Sequence, residues 1–327
     1  MKKSFLNSDE IEPITAESEI DKSESRQFSQ KDSLILLAGS LVYFGWFYFI
    51  VGIHSEHIGM YALALFLYFV HGKTRQFIIA FSIFIFYWIV YDSMRVLPNY
   101  RVNPIHISEI YAFDKYWFGI DSNNVRLTLN EYFRINHTPF LDVLTGFFYL
   151  NWIPIPLAFG FWLFLNNKLL FLKFAYAFFF TNVVGFCLYY CYPAAPPWYI
   201  EQYGNEIIHG TPGNAAGLLN FDRFFGIHFF ENLYTKNANV FAAMPSLHSA
   251  YPVLCFLYGL RLKSNWLNTV FFTFMVGIWF SAVYTRHHYV IDVLAGITVA
   301  ITSYLVFEYL NQQPILKNRF DNLVKKI

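Results

Sequence analysis

The sequence predicts an all-α fold: a polytopic membrane helix bundle of about 6–8 transmembrane helices, with surface helices in two long non-cytosolic loops. Three observations predict it. Only 14% of the 327 residues are charged, against 56% hydrophobic and 22% aromatic, whereas a soluble domain carries about 25% charged residues. The apolar residues gather into long runs, most of them near the ~20 residues needed to cross ~30 Å of hydrocarbon. The Lys and Arg residues of the short loops fall on alternate sides of those runs, as cytosolic loops require.

Eight apolar segments are expected, at 33–54, 56–71, 76–97, 140–164, 168–192, 246–262, 265–285 and 288–310. The second is short for a span. The fourth contains Pro154 and Pro156, so a kink is expected there. Eight spans put both termini on one side, with the basic turns at Lys73 and Arg75, Lys168, and Arg261 and Lys263. The opposite, non-cytosolic side then holds loops 98–139 and 193–245 and the tight turn at Arg286. Residues 1–32, rich in Ser, Glu, Asp and Lys, read as a disordered cytosolic tail without a signal peptide. Residues 33–311 read as one membrane domain and 312–327 as a short cytosolic tail. Net charge of +1 gives no hint of a nucleic-acid partner. Cys187, Cys191 and Cys255 show no pairing or metal spacing and read as packing residues.

Two segments carry chemistry. In Pro245-Ser246-Leu247-His248 a polar loop meets an apolar helix, with Pro245 expected at the first helical position. The free N–H groups of such a helix end favour an anion. Ser246 can add a hydroxyl donor, and His248 faces the same anion. A plain helix cap beside an incidental interfacial histidine is the competing reading. In Arg286-His287-His288-Tyr289-Val290-Ile291-Asp292, His288 and Asp292 are spaced i,i+4 and share one helix face. A carboxylate accepting one imidazole N–H makes the other nitrogen a better nucleophile. An ionisable group one turn inside an apolar span points to function. His287 points off that face and reads as a supporting residue. Two histidines and a carboxylate also suit zinc, but there is no H-E-x-x-H spacing and the histidines open different spans. No metal and no cofactor are expected.

These two segments resemble the second and third motifs of the type-2 phosphatidate phosphatase superfamily, P-S-G-H and S-R-x5-H-x3-D. Here they read Pro245-Ser246-Leu247-His248 and Ser281-Ala282-x5-His288-x3-Asp292. The resemblance implies that His288 attacks phosphorus, that Asp292 orients it, and that His248 serves the leaving and incoming oxygens as acid and base. The superfamily's first motif, K-x6-R-P, is missing. In its place stands Tyr192-Pro193-Ala194-Ala195-Pro196-Pro197-Trp198-Tyr199, and Ala282 replaces the third-motif Arg. Three phosphate-binding cations are thus absent from their places, leaving Arg286, Arg101 or Arg223 to supply charge.

These departures resemble the fungal inositol phosphorylceramide synthases. That branch carries P-S-L-H-S, an A-P-P-W-Y-like stretch, and a Gly-Ala-Ala-Gly-Leu…Asp…Gly run. Here the run is Pro212-Gly213-Asn214-Ala215-Ala216-Gly217-Leu218, then Asp222 and Gly226. The resemblance covers roughly 100–310. It implies transfer of phosphoinositol from phosphatidylinositol, the phospholipid donor, to a ceramide-like acceptor lipid in the membrane. Substrate-binding residues are then expected at Ser246, Arg286, Arg101, Trp198 and Tyr199, the aromatics excluding water. His106 and Glu109 read as a solvated face, while Tyr149, Asn151 and Trp152 are candidates to line the cavity. The alternative is a lipid phosphate phosphatase that hydrolyses a phosphoester with the same histidines. A diester monoanion needs fewer cations than a monoester dianion, which favours transfer from a diester donor.

Overall fold

The computed structural model describes residues 30–235 and 239–327; most of the expected N-terminal tail, residues 1–29, lies outside them. The chain divides into two compact units, residues 1–78 and 79–327. Helices α1 (Gln30–Trp46, continued by a π-helical turn Phe47–Val51) and α2 (Ser55–Val70) lie in the first unit, and the boundary falls inside α3 (Gly72–Ser93). Within the first unit Phe47 stacks on His57 at 3.8 Å, and the Tyr43 hydroxyl donates to the His57 carbonyl at 2.9 Å.

The second unit carries the candidate site. Loop 98–139 folds into α4 (Ser108–Phe118), a hairpin of β1 (Ile120–Ser122) and β2 (Val125–Leu127), and α5 (Leu129–Ile135). The hairpin departs from the expected all-helical loop. Its cause is local: Asn123 and Asn124 adopt φ of 50° and 61°, the positive pair that a two-residue type I′ turn needs. Arg126 on β2 then donates to the carbonyls of Lys115 and Tyr116 at the end of α4, at 2.9 and 2.8 Å. Thr128 and Glu131 form a capping box at the start of α5.

The fourth apolar segment breaks, as its prolines predict, into α6 (Pro139–Leu150) and α7 (Pro154–Asn166). Next come α8 (Lys168–Cys191), the loop helices α9 (Pro197–Tyr203), α10 (Leu219–Phe225) and α11 (Phe229–Tyr234), then α12 (Leu247–Gly259), α13 (Asn265–Tyr284), α14 (Val290–Asn311) and α15 (Pro314–Val324). All eight expected apolar segments are helical. Among the described residues, six helical segments are long and apolar enough to span a membrane: 32–51, 72–93, 139–166, 168–191, 265–284 and 290–311. The protein is therefore an integral, multi-pass membrane protein. The second segment, α2, is too short for this class at 16 residues, and α12 has 13. Within 312–327, α15 buries Phe320 against Tyr176 of α8 and Phe307 of α14.

Short α12 is packed on four sides, by α7, α8, α13 and α14. Its contact with α14 is a backbone contact. The Ser246 N–H donates to the Asp292 carbonyl at 2.9 Å, and Gly296 lies so close that a Cβ there would sit 2.1 Å from the Ser246 oxygen. A side chain at 296 forces the two helix starts apart. Gly296→Ala is expected to destabilise the protein by about 1–3 kcal/mol and to cut turnover further than the fraction unfolded accounts for. Thermal melting in detergent, beside turnover per folded molecule, checks this.

Candidate active site

α12 begins at Leu247 with Ser246 as its N-cap; the Ser246 Oγ accepts the Ser249 N–H at 3.3 Å. Pro245 therefore stands one residue outside the cap, not at the first helical position. The serine hydroxyl, a preferred cap, starts the helix after itself. Ser246 is fully buried. Its oxygen serves its own helix and accepts a second bond from the Ser249 hydroxyl at 3.0 Å.

His288 rides the turn between α13 and α14. The Ala282 carbonyl accepts both the His287 and His288 N–H groups, at 3.1 and 3.0 Å. Arg286 closes the turn with a left-handed φ of 65°. The buried Asn130 amide of α5 donates to the carbonyls of Val283 and His288 at 2.8 and 2.9 Å. Ala282, where the superfamily motif has an Arg, thus occupies a fully buried position whose backbone holds both histidines.

The two rings meet. His248 Nδ1 lies 3.0 Å from His288 Nε2. His288 Nδ1 lies 2.9 Å from the Ala243 carbonyl and 3.6 Å from Asp292 Oδ2. The carbonyl, not the carboxylate expected from the i,i+4 spacing, is the nearer acceptor. Asp292 spends Oδ2 on the Tyr289 N–H at 2.8 Å and adds its charge from just beyond bonding distance. A carbonyl can only accept, so His288 carries its proton on Nδ1 and offers the Nε2 lone pair. His248 then holds a proton on the Nδ1 that faces it.

Aromatic rings wall this pair. Trp152, in the break between α6 and α7, stands edge-on to His248 at 4.3 Å, and Tyr149 stacks on His248 at 5.0 Å. His287 lies near Tyr149 and Tyr234, at 5.3 and 4.4 Å, and donates through Nε2 to the Ala215 carbonyl at 3.1 Å. Burial, helped by the neighbouring His288, pushes the His287 imidazole down to about 3, so it stays neutral near pH 7.

The flanking loops act as braces. The Gly217 N–H donates to the Thr285 carbonyl at 2.9 Å, and a Cβ at 217 would sit 2.8 Å from the Thr285 Cα. Asp222 caps α11 through the N–H groups of Phe230 and Glu231, at 3.2 and 3.0 Å. Segments 106, 194 and 242 pair side by side. There the Ala194 N–H donates to the Phe241 carbonyl and the Ala243 N–H to the Ala194 carbonyl, at 2.9 and 3.3 Å. The Ala-Pro-Pro stretch thereby fixes the Ala243 carbonyl against His288.

The expected substrate-binding residues fall into different places. Trp198 and Tyr199 are buried against Phe241 and Ile107, and the Tyr199 hydroxyl bonds Glu206 and Ile208 at 2.9 Å each. Both side chains are thus engaged in bracing the loop. Arg286 is tied to Glu201 at 2.9 Å and accepts the Trp198 N–H at its carbonyl at 3.2 Å. Burial pushes the Glu201 carboxyl above its usual range while Arg286 pulls it down. Arg101 is exposed, and its guanidinium has no hydrogen bond or ion pair among the described residues. His106, expected on a solvated face, stacks flat on Tyr192 at 3.9 Å. Asn130, the Ala243 carbonyl and the buried Asp114, which accepts the Ile291 N–H at 3.1 Å, carry no sequence signal of their own.

Asn130→Ala takes its donor from the His288 carbonyl, at a cost of about 1–3 kcal/mol, leaves the Val283 carbonyl with the Arg286 N–H at 3.0 Å, and frees the histidine turn. Turnover is expected to fall more than donor affinity. Asn130→Asp, which keeps the size but loses the donor, should fare no better; steady-state kinetics of both variants read the difference.

A family model described as PAP2 superfamily matches residues 116–306. A phosphoinositol dihydroceramide synthase from Bacteroides thetaiotaomicron is 47% identical over 261 residues, 79% of this chain and 86% of that protein. Inositol phosphorylceramide synthase from Candida albicans is 28% identical over 75% of this chain and 50% of its own length. The inositol phosphorylceramide synthase catalytic subunit of Saccharomyces cerevisiae is 28% identical over 68% of this chain and 54% of its own. The chain thus spans about half the length of these fungal relatives. No solved structure matches it.

Proposed function

Because the chain belongs to the PAP2 superfamily, we propose that it is a membrane lipid phosphotransferase moving phosphoinositol from phosphatidylinositol to a ceramide-like acceptor, within a domain over residues 33–311. The 3.0 Å contact between His248 Nδ1 and His288 Nε2 carries this reading. It sets the nitrogen that would attack phosphorus beside the ring that would protonate the leaving oxygen.

The reaction runs in two displacements. His288 Nε2 forms a bond to phosphorus as the bond to the diacylglycerol oxygen breaks, and His248, entering the step as the imidazolium, gives that oxygen one of its two protons and is left neutral. His288 is then a phosphohistidine, with Nδ1–H held by the Ala243 carbonyl and the Asp292 charge. The acceptor hydroxyl next gives its proton to His248 and attacks phosphorus, freeing His288. Transfer requires that water reach phosphorus more slowly than the lipid hydroxyl. The Trp152 and Tyr149 rings over His248 support this.

The charges fit a diester donor. Arg286, the cation nearest in sequence, is neutralised by Glu201, which suits a monoanionic phosphodiester with an uncharged polyol head. The positive-inside pattern supports a site on the non-cytosolic face.

Purified protein with labelled phosphatidylinositol should form inositol phosphorylceramide only when ceramide is added. Free inositol phosphate irrespective of ceramide would establish hydrolysis instead. His288→Ala, His248→Ala and Asp292→Asn should each lose about 10²–10⁴-fold in turnover; variants within about threefold of wild type would refute the assigned roles.

A further inference from the structure

Asp114 takes no part in these proton transfers, yet it is a fully buried carboxylate beside them. On the same helix, Ile110 packs with Ala194, Ala243 and Tyr289. α4 is therefore docked on the segments that flank His288. The Ile291 N–H that Asp114 Oδ1 accepts is one of the orphan donors of the α14 first turn, where a carboxylate also suits the helix dipole. The Val290 N–H also acts on this carboxyl, but among the described residues its other oxygen, Oδ2, is buried without a well-formed hydrogen bond. So is Oδ1 of Asp292, one residue beyond Ile291. Buried carboxylate oxygens left unbonded are costly, and here two of them converge on one helical turn.

We propose that Asp114 is a positioning residue for the nucleophile: it holds the first turn of α14, and with it Asp292 and His288, and its ionisation sets how much negative charge stands behind that nucleophile. The proposal rests on the phosphotransfer reading above. Asp292 of the same turn acts on Asp114, and Asp114, Asp292, Tyr111 of its own helix and Glu201 of α9 all act on the neighbouring Tyr289. Lys115 is engaged by Glu131 at 3.5 Å and by the Tyr111 hydroxyl at 2.7 Å.

Burial raises the Asp114 carboxyl to about 7, with the Ile291 bond opposing the rise and the Asp292 charge adding to it. Below that pH the acid is neutral, caps α14, and leaves Asp292 as the one charge behind His288. As pH rises through about 7 a second negative charge, with no cation bonded to it among the described residues, enters the same pocket. It repels Asp292 and the phosphodiester anion alike, so turnover falls.

The test follows diacylglycerol release from labelled phosphatidylinositol in mixed micelles from about pH 5.5 to 9, a readout that transfer and hydrolysis share. Asp114→Asn keeps an acceptor oxygen and cannot ionise. It should match wild type at the acid end and exceed it by about threefold or more at the alkaline end. Asp114→Ala, checked for folding by its melting curve, should be slower throughout. An Asp114→Asn profile parallel to wild type would overturn the proposal. Failure of the transferase reading shows separately, as no ceramide product while diacylglycerol is still released.

Discussion

Ser246 and Asp292 meet backbone to backbone, with Gly296 leaving the room, and the rest of the site depends on that approach. The two histidines sit 40 residues apart in sequence on different helices. They share a hydrogen bond only because α12 and α14 touch at their first turns. Interiors packed to crystal density do not absorb even a methyl group at such a crossing. The loops then work as clamps on this junction. Asn130 fixes the turn behind His288, Gly217 fixes the turn before it, and the paired segments at 194 and 242 set the carbonyl that orients its ring.

Electrostatics here run opposite to the usual phosphate site. Arg286 is engaged by Glu201, and Ala282 fills the position where the superfamily motif carries an Arg. What surrounds the nucleophile is a carbonyl at 2.9 Å, a second imidazole and aromatic walls, with Asp292 behind it. In a dry, low-dielectric pocket a few fixed dipoles act strongly on a single negative charge. A dianion would find less compensation. The arrangement favours phosphodiesters by what it withholds as much as by what it offers.

Much of this was legible in the sequence, and the residues show why. Hydropathy located all eight helical segments because a membrane span leaves no other way to satisfy its backbone. His248, His288 and Asp292 stood out because ionisable groups are rare in apolar runs. What escaped depends on long-range packing. Asn130 acts 158 residues away from His288, and Asp114 acts 177 residues away from Ile291. Neither spacing leaves a local trace. Trp198 and Tyr199 were expected beside the substrate, and composition cannot tell an aromatic that packs within a loop from one that lines a cavity; both are buried against Phe241 and Ile107. The Asn123-Asn124 turn and the Thr128–Glu131 box were readable local signals inside a loop taken as wholly helical.

The direct contact between the two imidazoles has a consequence for affinity. A phosphorus atom with its leaving oxygen in line does not fit between nitrogens 3.0 Å apart. The donor enters only by parting the rings and giving up their hydrogen bond, worth about 1 kcal/mol net. Its apparent dissociation constant is therefore several-fold weaker than its contacts alone would provide, since each 1.4 kcal/mol is about tenfold. That same free energy returns when the lipid product leaves and the pair closes again. The resting contact thus works as a built-in product expeller, tilting the cycle toward release.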